Sequence, residues 1–196
     1  MAKRPPATLV YQLHIRLLDS KPDIWRRILV PAHFDLHNLH YVIQNAFEWN
    51  HEHLFQFCQG DPWGEVLYPP SDEDGSMVEP DNNGKYPPAP SLHEVLKVGE
   101  SLFYVYDFGD SWEHEIYCEA LMVKPPKIRL PHCVDGANHA AFENCGGVYG
   151  YAHILTILSN RDNPAYQEEL AELTDYYTKR ILKYDPTAFD PKKLKL

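Results

Sequence analysis

From Trp112 to Met122 the chain alternates without a break. Trp112, His114, Ile116, Cys118, Ala120 and Met122 share one side of an extended backbone; Glu113, Glu115, Tyr117, Glu119 and Leu121 share the other. A period of two is a strand signature, not a helical one. The first face is apolar except for His114, and the second carries three carboxylates. Just upstream, Phe103–Tyr106 is aromatic and β-branched, which suits a half-buried pleated surface. Between them, Phe108-Gly109-Asp110-Ser111 supplies turn chemistry, because Gly109 accepts positive φ and Asp110 and Ser111 bond nearby backbone. Phe103–Glu119 is therefore predicted to be a β-hairpin with ionisable groups crowded around its turn.

Two readings of that crowding stand side by side. Asp107, Asp110 and His114, with Glu115, could form a metal or acid–base site, since carboxylates and imidazole bind divalent cations and move protons. Alternatively, Asp107 and Asp110 shape the turn, His114 is a hydrogen-bonded core residue, and the glutamates face solvent.

The remaining elements follow from similar patterns. Leu9, Tyr11, Leu13, Ile15 and Leu17 predict a first strand, and Ile24–Val30 a second. Neighbouring Arg26 and Arg27 must point to opposite faces. Either one of them faces the core and needs a partner, for which a hairpin carboxylate is a candidate, or both snorkel to water. Asp35 can cap a helix running to about Trp49, with Leu36, Leu39, His40, Ile43 and Phe47 as its buried stripe. His40 on that stripe is expected to be a core residue. His37, His51 and His53 lie close by in sequence, but no standard ligand spacing joins the four. Leu54–Cys58 reads as a strand. Gly60–Pro90 holds seven of the seventeen prolines, with SDEDG and DNNGK runs, and is predicted to be an irregular loop. Ser91–Glu94 is a capping box opening a short helix to about Lys97, which Gly99 ends. Val134–Asn144 is read as an irregular loop anchored by Cys133. Helices follow over Tyr151–Leu158 and from Asn163-Pro164, the latter with Tyr166, Leu170, Leu173 and Tyr177 on one face. Asp185–Asp190 is expected to be a turn that packs Phe189.

Cys145-Gly146-Gly147-Val148-Tyr149-Gly150-Tyr151 places glycines and free amide N–H groups just before a helix, an arrangement that can cradle an anion. It lacks the Gly-Lys-Ser/Thr of a P-loop. A tight structural turn, with Cys145 as a small core residue, accounts for the same residues. Cys58, Cys118, Cys133 and Cys145 contain no CxxC pair. A zinc site from Cys133 and Cys145 with His114 or His132 is conceivable, so the possible cofactor is a divalent metal.

The net charge of −10 argues against a bulk electrostatic grip on nucleic acid, though a local basic patch could still act. Met1–Thr8 is short, basic and proline-rich, so neither a signal peptide nor a membrane segment is expected; the protein is expected in the cytoplasm with reduced thiols. With 196 residues and no internal repeat, one domain is expected over 8–190, between a flexible tail at 1–7 and a basic tail at 191–196.

Tyr106–Ile116, read as YDFGDSWEHEI, resembles the hallmark of the plasmid pRiA4b ORF-3-like family, also labelled as insertion-sequence passenger proteins. The resemblance extends over YQLHIRLLDSKPDIWRRILVP at Tyr11–Pro31, LHNLHYVIQNAFEW at Leu36–Trp49, Cys133, CGGVYGY at Cys145–Tyr151 and DPTAFD at Asp185–Asp190. It implies an α+β domain and an association with mobile elements. The family pattern carries a histidine where this chain has Phe55. It also has a Pro-Pro-Glu-Asp run where this chain reads Ala141-Phe142-Glu143-Asn144, which keeps Glu143 and replaces the aspartate.

Together these readings predict an α+β fold: a single domain with a curved, mostly antiparallel sheet packed by three or four helices. The leading functional expectation is a binding or accessory module for a small ligand or protein partner. Its groove would lie between Tyr106–His114 and Cys145–Tyr151, with Tyr106, Trp112, Arg26, Cys145, Gly146, Gly147 and Tyr151 as binding residues. A metal-assisted hydrolase using Asp107, Asp110, His114 and Glu143 is the alternative, and a DNA-binding protein is a further one.

Overall fold

In a computed structural model, which describes residues 8–71 and 88–196, seven strands form one antiparallel sheet. They are β1 (Leu9–Leu17), β2 (Trp25–Pro31), β3 (Phe55–Gln59), β4 (Glu65–Ser71), β5 (Ser101–Tyr106), β6 (Trp112–Val123) and β7 (His132–Ala137), in the order β4-β3-β5-β6-β1-β2-β7. Four α-helices accompany them: α1 (Leu36–Ala46), α2 (Leu92–Val95), α3 (Gly147–Ser159) and α4 (Gln167–Tyr176). The sheet is not closed into a barrel, and the chain is a single-domain α+β fold. The expected 1–7 tail, the DNNGK run and the SDEDG run beyond Ser71 lie outside the described residues.

The expected alternation becomes the sheet's two faces as far as Cys118; a register shift opposite Gln12/Leu13 then pairs Ala120 with Gln12 and Met122 with Val10, so these two do not continue the Cys118 face as expected. Ile15 stands opposite Ile116 and Leu17 opposite His114 across β1 and β6, and Tyr104 and His114 pair across β5 and β6. All five are fully buried. On the same face Phe55, Phe57, Tyr104 and Tyr106 pack with α1, whose Leu36, Leu39, His40 and Ile43 are sealed, as is Phe47 just beyond its end. Asp35 caps α1 by accepting from the Asn38 N–H (2.7 Å). The helix stops at Ala46, short of Trp49. His40 is a hydrogen-bonded core residue: its Nδ1 meets the Tyr104 hydroxyl at 2.8 Å and its ring stacks on Phe55 at 3.6 Å. Burial, with His51 and His37 nearby, holds its pKa down to about 2.

The other face is held by charge. Arg27 makes two 2.7 Å bonds to the Glu119 carboxylate, and Arg16 pairs with Glu115 at 3.3 Å. The hairpin carboxylate thus goes to the outer arginine. Inward-facing Arg26 is bonded differently: its Nε and Nη1 donate to the carbonyls of Ala46, Trp25 and Ala137 at 2.8–3.1 Å.

Three boundaries differ from the sequence reading. β4 falls inside the 60–90 stretch read as irregular; an edge strand tolerates its Pro69-Pro70, because one side of its backbone needs no ladder partner. β7 replaces the start of the loop expected at Val134–Asn144, forming because β2 offers it an edge to pair with. α2 ends at Val95, two residues before Lys97, while Gly99 takes the positive φ (+88°) expected of it. Phe189 packs against the core, as anticipated.

Candidate functional site

The hairpin turn is built by its own aspartates. Tyr106 and Trp112 face each other as the last β5–β6 pair. Asp107 takes positive φ (+53°), and its Oδ1 accepts the N–H groups of Gly109 (3.0 Å) and Asp110 (3.3 Å). Asp110 then reaches across to the start of α3, where its Oδ2 accepts the N–H groups of Cys145 and Gly146, both at 3.1 Å. The glycine-rich turn does cradle an anion, and that anion is the protein's own carboxylate. The fit is close enough that a Cβ on Gly147, itself at φ +67°, would stand 2.2 Å from the Asp110 carbonyl oxygen.

Glu143 ties the same loop to the hairpin from the other side. One carboxylate oxygen accepts from the Tyr106 hydroxyl, and the other accepts the Asn50 N–H at 2.9 Å. The Tyr106 oxygen in turn accepts the Glu52 N–H at 2.9 Å. Next along the loop, Asn144 Oδ1 meets His53 Nε2 at 2.7 Å, and that nitrogen lies 3.6 Å from Asp107 Oδ2. Asp107, Asp110 and Glu143 therefore converge on one seam between the hairpin and the Glu143–Gly147 loop.

His114 is not part of that seam. It lies fully buried behind the turn, edge-on to Phe47 and Trp49 at 4.7 and 5.3 Å, with Nδ1 on the Trp112 carbonyl at 3.1 Å. Burial drives its pKa down to about 3, against a smaller opposing pull from the carbonyls of Trp112 and Tyr104, so the ring is neutral. Trp112 Nε1 and His114 Nε2 are sealed and lack a hydrogen-bond partner among the described residues.

Of the expected binding residues, Tyr106, Trp112 and Tyr151 are fully buried, and Gly147 is buried against Asp110. Gly146 is exposed and Cys145 half-buried. The Tyr151 hydroxyl meets that of Tyr184 at 2.9 Å, and Tyr184 donates to the Ala140 carbonyl at 2.8 Å. Arg26 lies on a different part of the sheet, beside Phe189. Burial pushes the Cys145 thiol up to about 12, with Asp110 adding to it, and the Cys133 thiol up to about 11. Both stay protonated at neutral pH, the opposite of an activated nucleophile. Cys133 sits on β7 across from Ile28, Cys145 at the head of α3, and His114 within β6. Among the described residues, no group of three His, Cys, Asp or Glu could hold a metal ion.

Beside the seam lies an open groove of about 450 Å³. Glu48, Glu52 and Glu143 give it negative charge, and Tyr176 and Tyr177 give it aromatic surface. Tyr176 is 67% exposed, and Tyr177 donates to the Glu143 carbonyl at 3.4 Å. Sequence reasoning singled out Glu143 and placed Tyr177 on a helix face, but did not find Glu48, Glu52 or Tyr176 as neighbours. Nothing in their local spacing brings the end of α1, the loop before α3 and the end of α4 together.

This fold and seam define the class: an antiparallel α+β domain in which a YDFGDSW hairpin is locked to a CGG helix start. The chain belongs to the plasmid pRiA4b ORF-3-like protein family, which it matches over residues 9–193. It is 30% identical over 164 residues to the uncharacterized protein y4hQ of Sinorhizobium fredii (strain NBRC 101917 / NGR234), covering 82% of this chain and 79% of that one. It also resembles the crystal structure of MM3350 from Methanosarcina mazei Go1, a protein of unknown function. There the TM-score is 0.76 and the identity 26%, over 97% of this chain and 100% of that one.

Proposed function

We propose that this protein is a binding or accessory module of mobile-element biology, acting in the cytoplasm, and that it holds a cationic segment of a protein partner in the groove beside Glu143. The observation that supports this reading is the contrast between the seam and the groove. Asp107, Asp110 and Glu143 spend their carboxylates on backbone N–H groups and a tyrosine hydroxyl, as a frame does. The groove alongside stays open, with Glu48 and Glu52 exposed on it and Tyr176 presenting an aromatic face. Carboxylates beside aromatic rings suit lysine or arginine side chains, through ion pairing and cation–π contact. The same charge opposes a phosphate backbone. The link to mobile elements rests on the family, whose description is that of a plasmid open reading frame.

The test is fluorescence anisotropy with a labelled Lys/Arg-rich peptide and its Glu-rich counterpart. The basic peptide should bind, weaken with salt, and weaken by roughly tenfold or more in Glu52→Lys. Equal binding of both peptides, or an affinity untouched by Glu52→Lys, would sink the proposal.

A further inference from the structure

Arg26 is the most deeply buried charge in the described chain, at 1% exposure. Its Nε and Nη1 donate to the carbonyls of Ala46, Trp25 and Ala137. Its guanidinium plane lies on the Phe189 ring, 3.9 Å from the centroid. None of the ion pairs among the described residues includes it. Burial lowers its pKa to about 10, so it stays charged at neutral pH. Three carbonyls solvate such a cation but do not neutralise it; the Glu48 carboxylate acts on it only through space, without an ion pair, and a buried charge held this way is costly.

One edge of the guanidinium remains. Nη2 carries two N–H groups and has no acceptor in the described chain, yet it is not sealed in the way that Trp112 Nε1 and His114 Nε2 are. A cavity of about 420 Å³ lies against Arg26, within the range that takes small organic molecules. Its walls divide by chemistry. Phe189, Ala188 and Leu194 are apolar, Lys193 adds a second positive charge, and Glu48 and Asp190 add negative ones.

We infer that this cavity is a binding site for a small organic monocarboxylate, whose carboxylate meets the free Nη2 edge of Arg26 and whose apolar body lies along Phe189, Ala188 and Leu194. A carboxylate matches the geometry of a guanidinium edge and supplies a directly paired counter-charge, which Glu48 and Asp190 do not. Glu48 and Asp190 disfavour a second negative charge, which selects against phosphate dianions. The inference does not rest on the groove beside Glu143, although Glu48, His139 and Ala140 border both spaces.

The experiment is NMR titration of the full chain, following the Arg26 side-chain Nε–Hε signal, with hexanoate, hexanamide and inorganic phosphate as probes. Hexanoate should shift that signal saturably, with Kd near 1 mM or tighter, and the other two should leave it in place. Arg26→Lys, which removes that signal and is followed instead through the backbone amides of Ala188 and Phe189, should weaken hexanoate by roughly tenfold, since an ammonium lacks the fork. Because Arg26→Lys removes core hydrogen bonds and could unfold the chain, exposed Ala188→Trp serves as the second variant. It should block hexanoate while keeping the melting temperature. No saturable shift with hexanoate, an equal response to hexanamide or phosphate, or binding unaffected by Ala188→Trp would each overturn the assignment.

Discussion

The Asp110 carboxylate accepts the Cys145 backbone N–H at 3.1 Å and, through the same oxygen, that of Gly146. One side chain from a hairpin turn thereby holds the first turn of α3, 35 residues away in sequence. Removing it leaves two amide donors at a helix start without their acceptor. Asp110→Ala should therefore lower stability by about 1–3 kcal/mol, read as a fall in melting temperature. A carboxylate kept only for catalysis or ligand binding would leave the melting temperature where it is.

Two glycines of the CGGVYG turn are required by close approach. A Cβ on Gly147 would meet the Asp110 oxygen at 2.2 Å, from a φ of +67°. A Cβ on Gly150 would meet the Cys145 carbonyl oxygen at 1.7 Å. In both cases the obstacle is backbone, which cannot swing aside. Gly147→Ala and Gly150→Ala should each cost more than about 3 kcal/mol in urea unfolding. Gly99→Ala has open space around its Cβ and only a strained φ of +88°, so it should cost about 1 kcal/mol.

Tyr106 and Glu143 join the sheet to the loop before α3, and each has a second bond into the Asn50–Glu52 segment. Tyr106→Phe and Glu143→Ala should each destabilise the chain, and the double variant should lose less than the sum. A coupling of about 0.5–3 kcal/mol in a double-mutant cycle is the expected result. Additive losses would show that the two side chains act independently.

Stability should fall on mild acidification. His40 and His114 are buried and neutral, with proton affinities held down to about 2 and about 3 against an ordinary 6.5. The unfolded chain therefore binds protons that the folded one refuses. The contribution is complete above pH 6.5 and is lost as pH drops from there toward 3. At pH 5 each histidine should cost roughly 2 kcal/mol relative to pH 7. Chemical denaturation at the two pH values measures this loss, and His114→Gln should show a shallower dependence than the parent chain.

Much of the frame could be read from local pattern. Alternation marked β1, β2 and the β5–β6 hairpin, and it placed Arg26 and Arg27 on opposite faces. Asp35 marked the start of α1, and helical spacing put His40 in the core. The two edge strands were illegible for a shared reason. β4 contains Pro69-Pro70 and β7 contains Gly136, so neither carries a strong intrinsic strand signal. Each exists because a neighbouring strand presents an unpaired edge, and both pairings are broken by register shifts. The role of Asp110 was visible only in half. Its place in a turn was evident, but its acceptance of the Cys145 and Gly146 amides depends on contact between distant segments.

By itself, then, the sequence determined the alternating strands, the capped helix, the tight glycine turn and the family to which the chain belongs. Each of these is encoded within a few residues by side-chain period, φ preference or motif. Only the tertiary structure decided that the CGG cradle is filled from within by Asp110, that Glu143 braces Tyr106, and that buried Arg26 borders a cavity. Those outcomes depend on which surfaces meet when the sheet packs with α1 and α3, and no local pattern encodes a partner that lies 35 to 111 residues away.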